Sequence, residues 1–247
     1  MEPITDAASV RILLMLCLLL CILLVFVPAP GSAASDAAAI RRGIEARYRG
    51  ARTLKATFYE QFSSGNGGGV AESGTVYFSR PGRMRWEYES PEQKLFIVDG
   101  TNVWFYVPAD RTASRAKIAD SSDWRTPLAL LTGKSDLSKL CRSIEIVDRE
   151  KDEKPEDRPA DAQNSVLRCI PRRESGDVDQ EIREVLIESD PEGRLTRLII
   201  RRPGNIETEF RFGNWEENLP ISETKFHFVP PPGVVIVDES TLAGAIH

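Results

Sequence analysis

Along most of this chain apolar and polar residues alternate with a period of two, and runs of turn residues cut the pattern into short pieces. The clearest stretch is Gly74 to Val107, GTVYFSRPGRMRWEYESPEQKLFIVDGTNVWFYV. Its four aromatic-rich runs are separated by Arg80-Pro81-Gly82, Ser90-Pro91 and Asp99-Gly100. Runs rich in Val, Ile, Tyr, Phe and Trp between such breakers predict antiparallel strands, here near 73–79, 83–89, 94–99 and 102–107. In the second run Met84, Trp86 and Tyr88 fall on one face, and Arg83, Arg85, Glu87 and Glu89 on the other. One face is built for burial and one for water.

Upstream, Ile40, Ile44 and Tyr48 recur every four residues, which predicts a helix from about Ala37 to Arg52 with Asp36 as its cap. Leu54 to Ser63 reads as the first strand, with Leu54, Ala56 and Phe58 alternating and Tyr59 and Phe62 out of phase. The glycine-rich segment 63–69 predicts a loose hairpin loop. It lacks the Lys-Ser/Thr of a phosphate-binding loop. Downstream, Arg111 to Ser122 reads as strand plus loop. Thr126-Pro127 opens a short helix carrying Leu128, Leu130 and Leu131 and ending at Gly133. Ser135 caps a second, with Leu137, Leu140 and Cys141 on one face. Strands resume at 144–147, 164–171, 181–189, 194–202 and 206–215 in a meander, with turns at Asp190-Pro191-Glu192-Gly193 and Pro203-Gly204-Asn205. Ile221 to Phe228 reads as a last strand, and VVIVDES closes the fold. The charged, proline-containing run 149–164 reads as a solvated loop.

Composition changes this picture at the N-terminus. Ile12 to Val27 is an unbroken apolar run of 16 residues, preceded by Arg11 and followed by small residues through Ala34. That length and those flanks predict a signal peptide, residues 1–33, cleaved near Ala33 or Ala34 rather than an uncleaved anchor. The remaining 34–247 form one domain. The full chain carries −5, of which Glu2, Asp6 and Arg11 account for −1. The mild acidity of the rest gives no support to nucleic-acid binding, which wants a basic stripe. Two cysteines lie beyond the leader, Cys141 and Cys169. In an oxidising compartment they either pair across the hairpin centred near Pro155 or stand as separate thiols.

Catalytic chemistry has little to work with. His227 and His247 are the only histidines, which disfavours a zinc site or a hydrolase triad, and no GxSxG elbow is present. No metal and no cofactor is expected, and the chain reads as a binding protein rather than an enzyme. The positive signal is an apolar sheet face with two short apolar helices to cover it. Pattern alone leaves open whether the interior is filled or accepts a ligand.

The chain resembles the LolA family, periplasmic carriers of outer-membrane lipoproteins. The resemblance is carried by FYEQF (58–62), GTVYFSRPGRMRW (74–86) and PEQKLFIVDGTNVWFY (91–106), supported by TPLALL (126–131) and FHFVPPPGVVIV (226–237). It implies an α+β fold in which one curved antiparallel sheet forms an unclosed barrel under a lid of short helices. Acyl chains would be held between them, against Phe58, Phe62, Tyr77, Met84, Trp86, Ile97, Trp104, Tyr106, Leu128, Leu131, Phe210 and Phe212. Arg80 would latch the lid. The implied partners of this monomeric periplasmic protein are lipoproteins, an inner-membrane ABC release complex and an outer-membrane receptor lipoprotein. The rival reading is a periplasmic lipid-sensing or structural interaction domain on the same scaffold. The long loop 149–163 and the Cys141/Cys169 pair depart from the family pattern.

Overall fold

A computed structural model describes residues 32–65, 69–117, 136–147, 163–172 and 182–238. Helix α1 (Ser32–Gly50) is followed by β1 (Thr53–Ser63), β2 (Gly69–Ser79), β3 (Arg83–Ser90), β4 (Lys94–Val98), β5 (Asn102–Val107) and β6 (Thr112–Lys117). A single helical turn, α2 (Leu137–Leu140), runs into β7 (Cys141–Ile146). The meander β8 (Ser165–Pro171), β9 (Glu184–Ser189), β10 (Leu195–Arg202) and β11 (Ile206–Glu217) comes next. A 3-10 turn (Glu223–Phe226) and β12 (Val235–Asp238) complete the described chain.

All of these strands belong to one sheet in the order β12-β6-β5-β4-β3-β2-β1-β11-β10-β9-β8-β7. The two ends, β12 and β7, do not pair, so the barrel is unclosed. Every pairing is antiparallel except β12 on β6, which is parallel. Closed-hairpin geometry explains most of the order, because short turns force sequential strands to be neighbours. Gly100 and Gly193 have φ values of 103° and 78° at two of those turns, where a side chain would strain the backbone.

The sheet curls where its register slips. At Gly74 a Cβ would sit 1.9 Å from the Glu87 carbonyl oxygen, and the β2–β3 pairing shifts at the same point. A second shift lies between Lys55 and Thr57 opposite Gly213. Such bulges increase local twist and bend the strands around an interior. Helix α1 lies in that interior: Ala37, Ile44 and Tyr48 are buried in the same cluster as the inner-face side chains of the sheet.

Several sequence expectations are corrected. Helix α1 starts at Ser32, so Asp36 is inside the helix and not its cap; alanine-rich sequence around it sustains helix before the expected boundary. Phe62 is in phase with Leu54, Ala56 and Phe58, and Glu60 joins them on the inner face, because alternation on β1 runs unbroken. Within the predicted strand 221–228 the chain forms a 3-10 turn, Glu223–Phe226, in which Thr224 N–H donates to the Ser222 hydroxyl at 3.3 Å. A local side-chain acceptor and Pro220 outcompete the period-two pattern there. The second predicted lid helix is one turn: Asp136, not Ser135, precedes it, and Cys141 already belongs to β7. The helix proposed at Thr126-Pro127, with Leu128 and Leu131, lies outside the described residues, as do most of 1–33 and loop 149–163.

Candidate functional site

The inner face of the sheet is assembled by register. Leu54 pairs with Phe78, Ala56 with Val76 and Phe58 with Gly74; Phe78 pairs with Met84 and Val76 with Trp86; Trp86 pairs with Phe96. On the other side Phe58 faces Phe212, and Glu60 faces Phe210. Partners in antiparallel register share a face. The result is an aromatic concave wall centred on Trp86, which is fully buried. Its ring lies 4.7 Å from Phe58, 5.4 Å from Phe210, 6.2 Å from Phe212 and 6.3 Å from Phe78, mostly edge to face. Edge-to-face packing at these separations is the favourable arrangement of ring quadrupoles.

Of the expected wall residues, Phe58, Met84, Trp86, Phe210 and Phe212 stand together on this face, and Phe62 continues it half-buried. Tyr77, Ile97, Trp104 and Tyr106 do not. They point to the opposite face, as their register with Arg85 and with one another requires. There the C-terminal segment covers them. Phe228 packs at 5.3 Å from Trp104 and 5.2 Å from Tyr106, and Lys225 Nζ sits 4.0 Å over the Tyr77 ring. Lys225 Nζ also pairs with Glu87 at 3.0 Å, and Arg85 donates to the Lys225 carbonyl at 3.1 Å. An open groove of about 520 Å³ between Tyr77, Arg85, Ile221 and Lys225 belongs to this outer face. Large apolar side chains drew these four residues into the expected wall. Counting parity through each hairpin from Trp86 would have chosen Phe78, Phe96 and Val98 instead, because a turn of fixed length fixes which residues oppose.

Arg80 holds a helix, but the helix is α1. Its guanidinium Nη2 donates to the carbonyl of Tyr48, in the last turn of α1, and its backbone N–H donates to Arg52 O at 3.0 Å. The last carbonyls of a helix lack intrahelical donors and carry the negative end of its dipole, so a cation there is favourable. Burial and then the nearby Arg49 charge push the Arg80 guanidinium below the ordinary arginine value. Tyr48 fixes the same turn a second way: its hydroxyl accepts from Leu195 N–H at 2.7 Å and its ring meets Trp215 at 5.8 Å. Arg49 reaches Asp136 at 3.4 Å, joining the end of α1 to the start of α2. The helix periodicity marked Ile44 and Tyr48 as apolar but gave no sign that they would face the sheet interior.

The cysteines are joined: Cys141 and Cys169 form a disulfide with Cα atoms 5.5 Å apart. They are not direct register partners, since Cys169 faces Ile144, and a register shift follows Cys141. Among the described residues no cluster of three or more His, Cys, Asp or Glu side chains could hold a metal. No described helix is long and apolar enough to cross a membrane.

Residues 49–229 match the family described as outer membrane lipoprotein carrier protein LolA. The chain belongs to the LolA family. It is 30% identical over 189 residues to the outer-membrane lipoprotein carrier protein of Dechloromonas aromatica, covering 76% of this chain and 82% of that one. The protein of the same description from Nitrosospira multiformis is 29% identical over 167 residues, 68% of this chain and 72% of its own. Among solved structures, an uncharacterized conserved protein from Thermus thermophilus superposes with a TM-score of 0.50 at 12% identity, over 83% of this chain and 99% of that one. A LolA superfamily protein from Nitrosomonas europaea gives 0.43 at 10% identity, over 78% and 97%. In this member of the family the sheet is unclosed, curved and mostly antiparallel.

Proposed function

We propose that this LolA-family protein is a non-enzymatic carrier of lipoproteins, exported to the periplasm by a leader spanning residues 1–33. It takes lipoprotein acyl chains onto the concave face, receives them from an inner-membrane ABC release complex and delivers them to an outer-membrane receptor lipoprotein. The observation that carries this reading is the aromatic wall around Trp86, buried in one cluster with helix α1, whose last turn Arg80 and Tyr48 help to pin. Each methylene buried there gains about 0.8 kcal/mol. Long acyl chains would then be held too tightly for transfer unless emptying restored something. Re-docking α1 restores its buried Ile44 and Tyr48 contacts and the Arg80 bond, which offsets part of that gain.

Native protein isolated from its own envelope tests the reading directly. Mass spectrometry should find acylated peptide or lipoprotein bound at up to one equivalent. Lipid-free protein that stays empty when mixed with acylated lipoprotein would count against it and favour an interaction domain. A second expectation concerns the latch. Arg80→Leu removes about 1–2 kcal/mol from the empty, closed form. It should accept lipoprotein normally but release it to receptor several-fold more slowly in a stopped transfer assay; release at the wild-type rate would sink the role of Arg80. A third separates the two faces. Ile97→Ala should cost about 2–3 kcal/mol of stability by urea denaturation. Its affinity for a fluorescent acyl probe should nonetheless stay within twofold of wild type, because Ile97 lies behind the wall.

A further inference from the structure

The concave face changes character along its strands. Toward the Arg80 end its positions are Leu54, Phe78, Met84 and Val98. Toward the other end they are Glu60, Glu72, Tyr88 and Lys94, and across the sheet Arg202. These polar groups meet one another: Tyr88 Oη donates to Glu60 at 2.8 Å, Lys94 pairs with Glu72, and Arg202 Nη2 lies 3.5 Å from the Thr208 hydroxyl. Glu60 is buried, which a carboxylate tolerates only with hydrogen bonds around it.

Trp86 sits at the boundary between the two halves. Its side chain is fully buried, and its Nε1 meets no acceptor among the described residues. Arg202 Nε is in the same condition. Both orphaned atoms of this sheet face are donors. The orphaned acceptor of the covering helix, Glu45 Oε1, belongs to a carboxylate already held through Oε2 by Arg41 at 2.7 Å. A buried N–H without a partner costs roughly 1–3 kcal/mol, and tryptophan usually finds a partner when buried. Phenylalanine would fill most of the same space without that penalty. The missing partner must be an acceptor that arrives with something apolar.

We propose that the Trp86 indole N–H binds an ester carbonyl of the acylated ligand. This orients the ligand with its hydrocarbon tails toward Leu54 and Phe78 and its glyceryl head in the Glu60–Lys94 layer. The inference rests on the carrier reading and deepens it: the wall recognises acyl esters, not hydrocarbon alone.

The test uses the mature full-length protein, a fluorescent dipalmitoylglycerol and its dihexadecyl ether counterpart, which has the same chains without carbonyls. Wild type should bind the ester about tenfold tighter, the effect of one well-made hydrogen bond. In Trp86→Phe that preference should shrink to within twofold. With isotope-labelled tryptophan in wild-type protein, the Trp86 indole N–H resonance should move downfield on adding the ester and not the ether, a readout that requires no variant to fold. Equal binding of ester and ether by wild type, a preference that survives in Trp86→Phe, or an unmoved indole resonance would each overturn the ester contact while leaving the carrier reading standing. Failure of wild type to bind either probe would overturn both.

Discussion

Trp86→Ala is expected to cost about 3–5 kcal/mol of folding free energy, the loss typical of truncating a buried aromatic core residue. Four rings, Phe58, Phe78, Phe210 and Phe212, pack against its faces and edges within 6.3 Å of its centroid. They come from three different strands on one side of β3, namely β2, β1 and β11, while Phe96 of β4 pairs with Trp86 on the other, so no single shift closes the gap. A domain of this size has only about 5–15 kcal/mol to lose, and urea denaturation should show a large drop in midpoint with little change in slope. The same truncation leaves an apolar hollow in the concave wall. An acyl probe present at a hundredfold its dissociation constant should therefore restore about 2.7 kcal/mol, because it binds only the folded protein. A midpoint within 1 kcal/mol of wild type would mean that Trp86 is not the centre of the wall.

The strands from β1 to β5 and from β8 to β11 were legible because each is a period-two run ended by Pro, Gly, Asn or Asp, and strong local pattern survives in tertiary structure. Arg83-Met84-Arg85-Trp86-Glu87-Tyr88 is the best case: its expected apolar and wet faces are the observed ones. The 3-10 turn at 223–226 was hidden because Phe226 and Phe228 imitate a strand. What separates them from one is a local hydrogen bond from Thr224 to Ser222, an effect of one side chain. The site was half legible. The expected residues of β1, β3 and β11 share the face of Trp86, whereas Tyr77, Ile97, Trp104 and Tyr106 lie on the other. Hydrophobicity reports burial, and here side chains on both faces are covered: Trp86 and Phe96 on the concave face, Ile97 and Trp104 on the other, where Phe228 packs. Burial therefore carries no information on side, and only register does. The role of α1 was hidden for a related reason. Helical periodicity specifies a stripe, but the partner of that stripe is a long-range choice made by Tyr48 with Leu195 and Trp215.

Replacing both cysteines, as Cys141→Ser with Cys169→Ser, is expected to cost about 3–4 kcal/mol, set by the closure of a loop of this length in the unfolded chain. The two positions are 28 residues apart. For a domain of this size the apparent melting temperature should fall by on the order of 10 °C, and wild type in reducing agent should fall by a similar amount. The loss acts at the sheet's free edge. Among the described strands β7 pairs on one side only, with β8, and it is continuous with α2, whose Leu137 is buried in the core and whose neighbour Asp136 meets Arg49 of α1. Without the bridge, that edge should open before the rest of the sheet, and amide exchange in β7 should quicken more than in β1 or β11. Because α1 packs beside β7 and β8, a looser edge should also speed entry of an acyl probe, so the bridge would set how far the concave face can open. A melting temperature within 2 °C of wild type, a shift of about 0.5–1 kcal/mol at most, would show that the core holds the edge unaided.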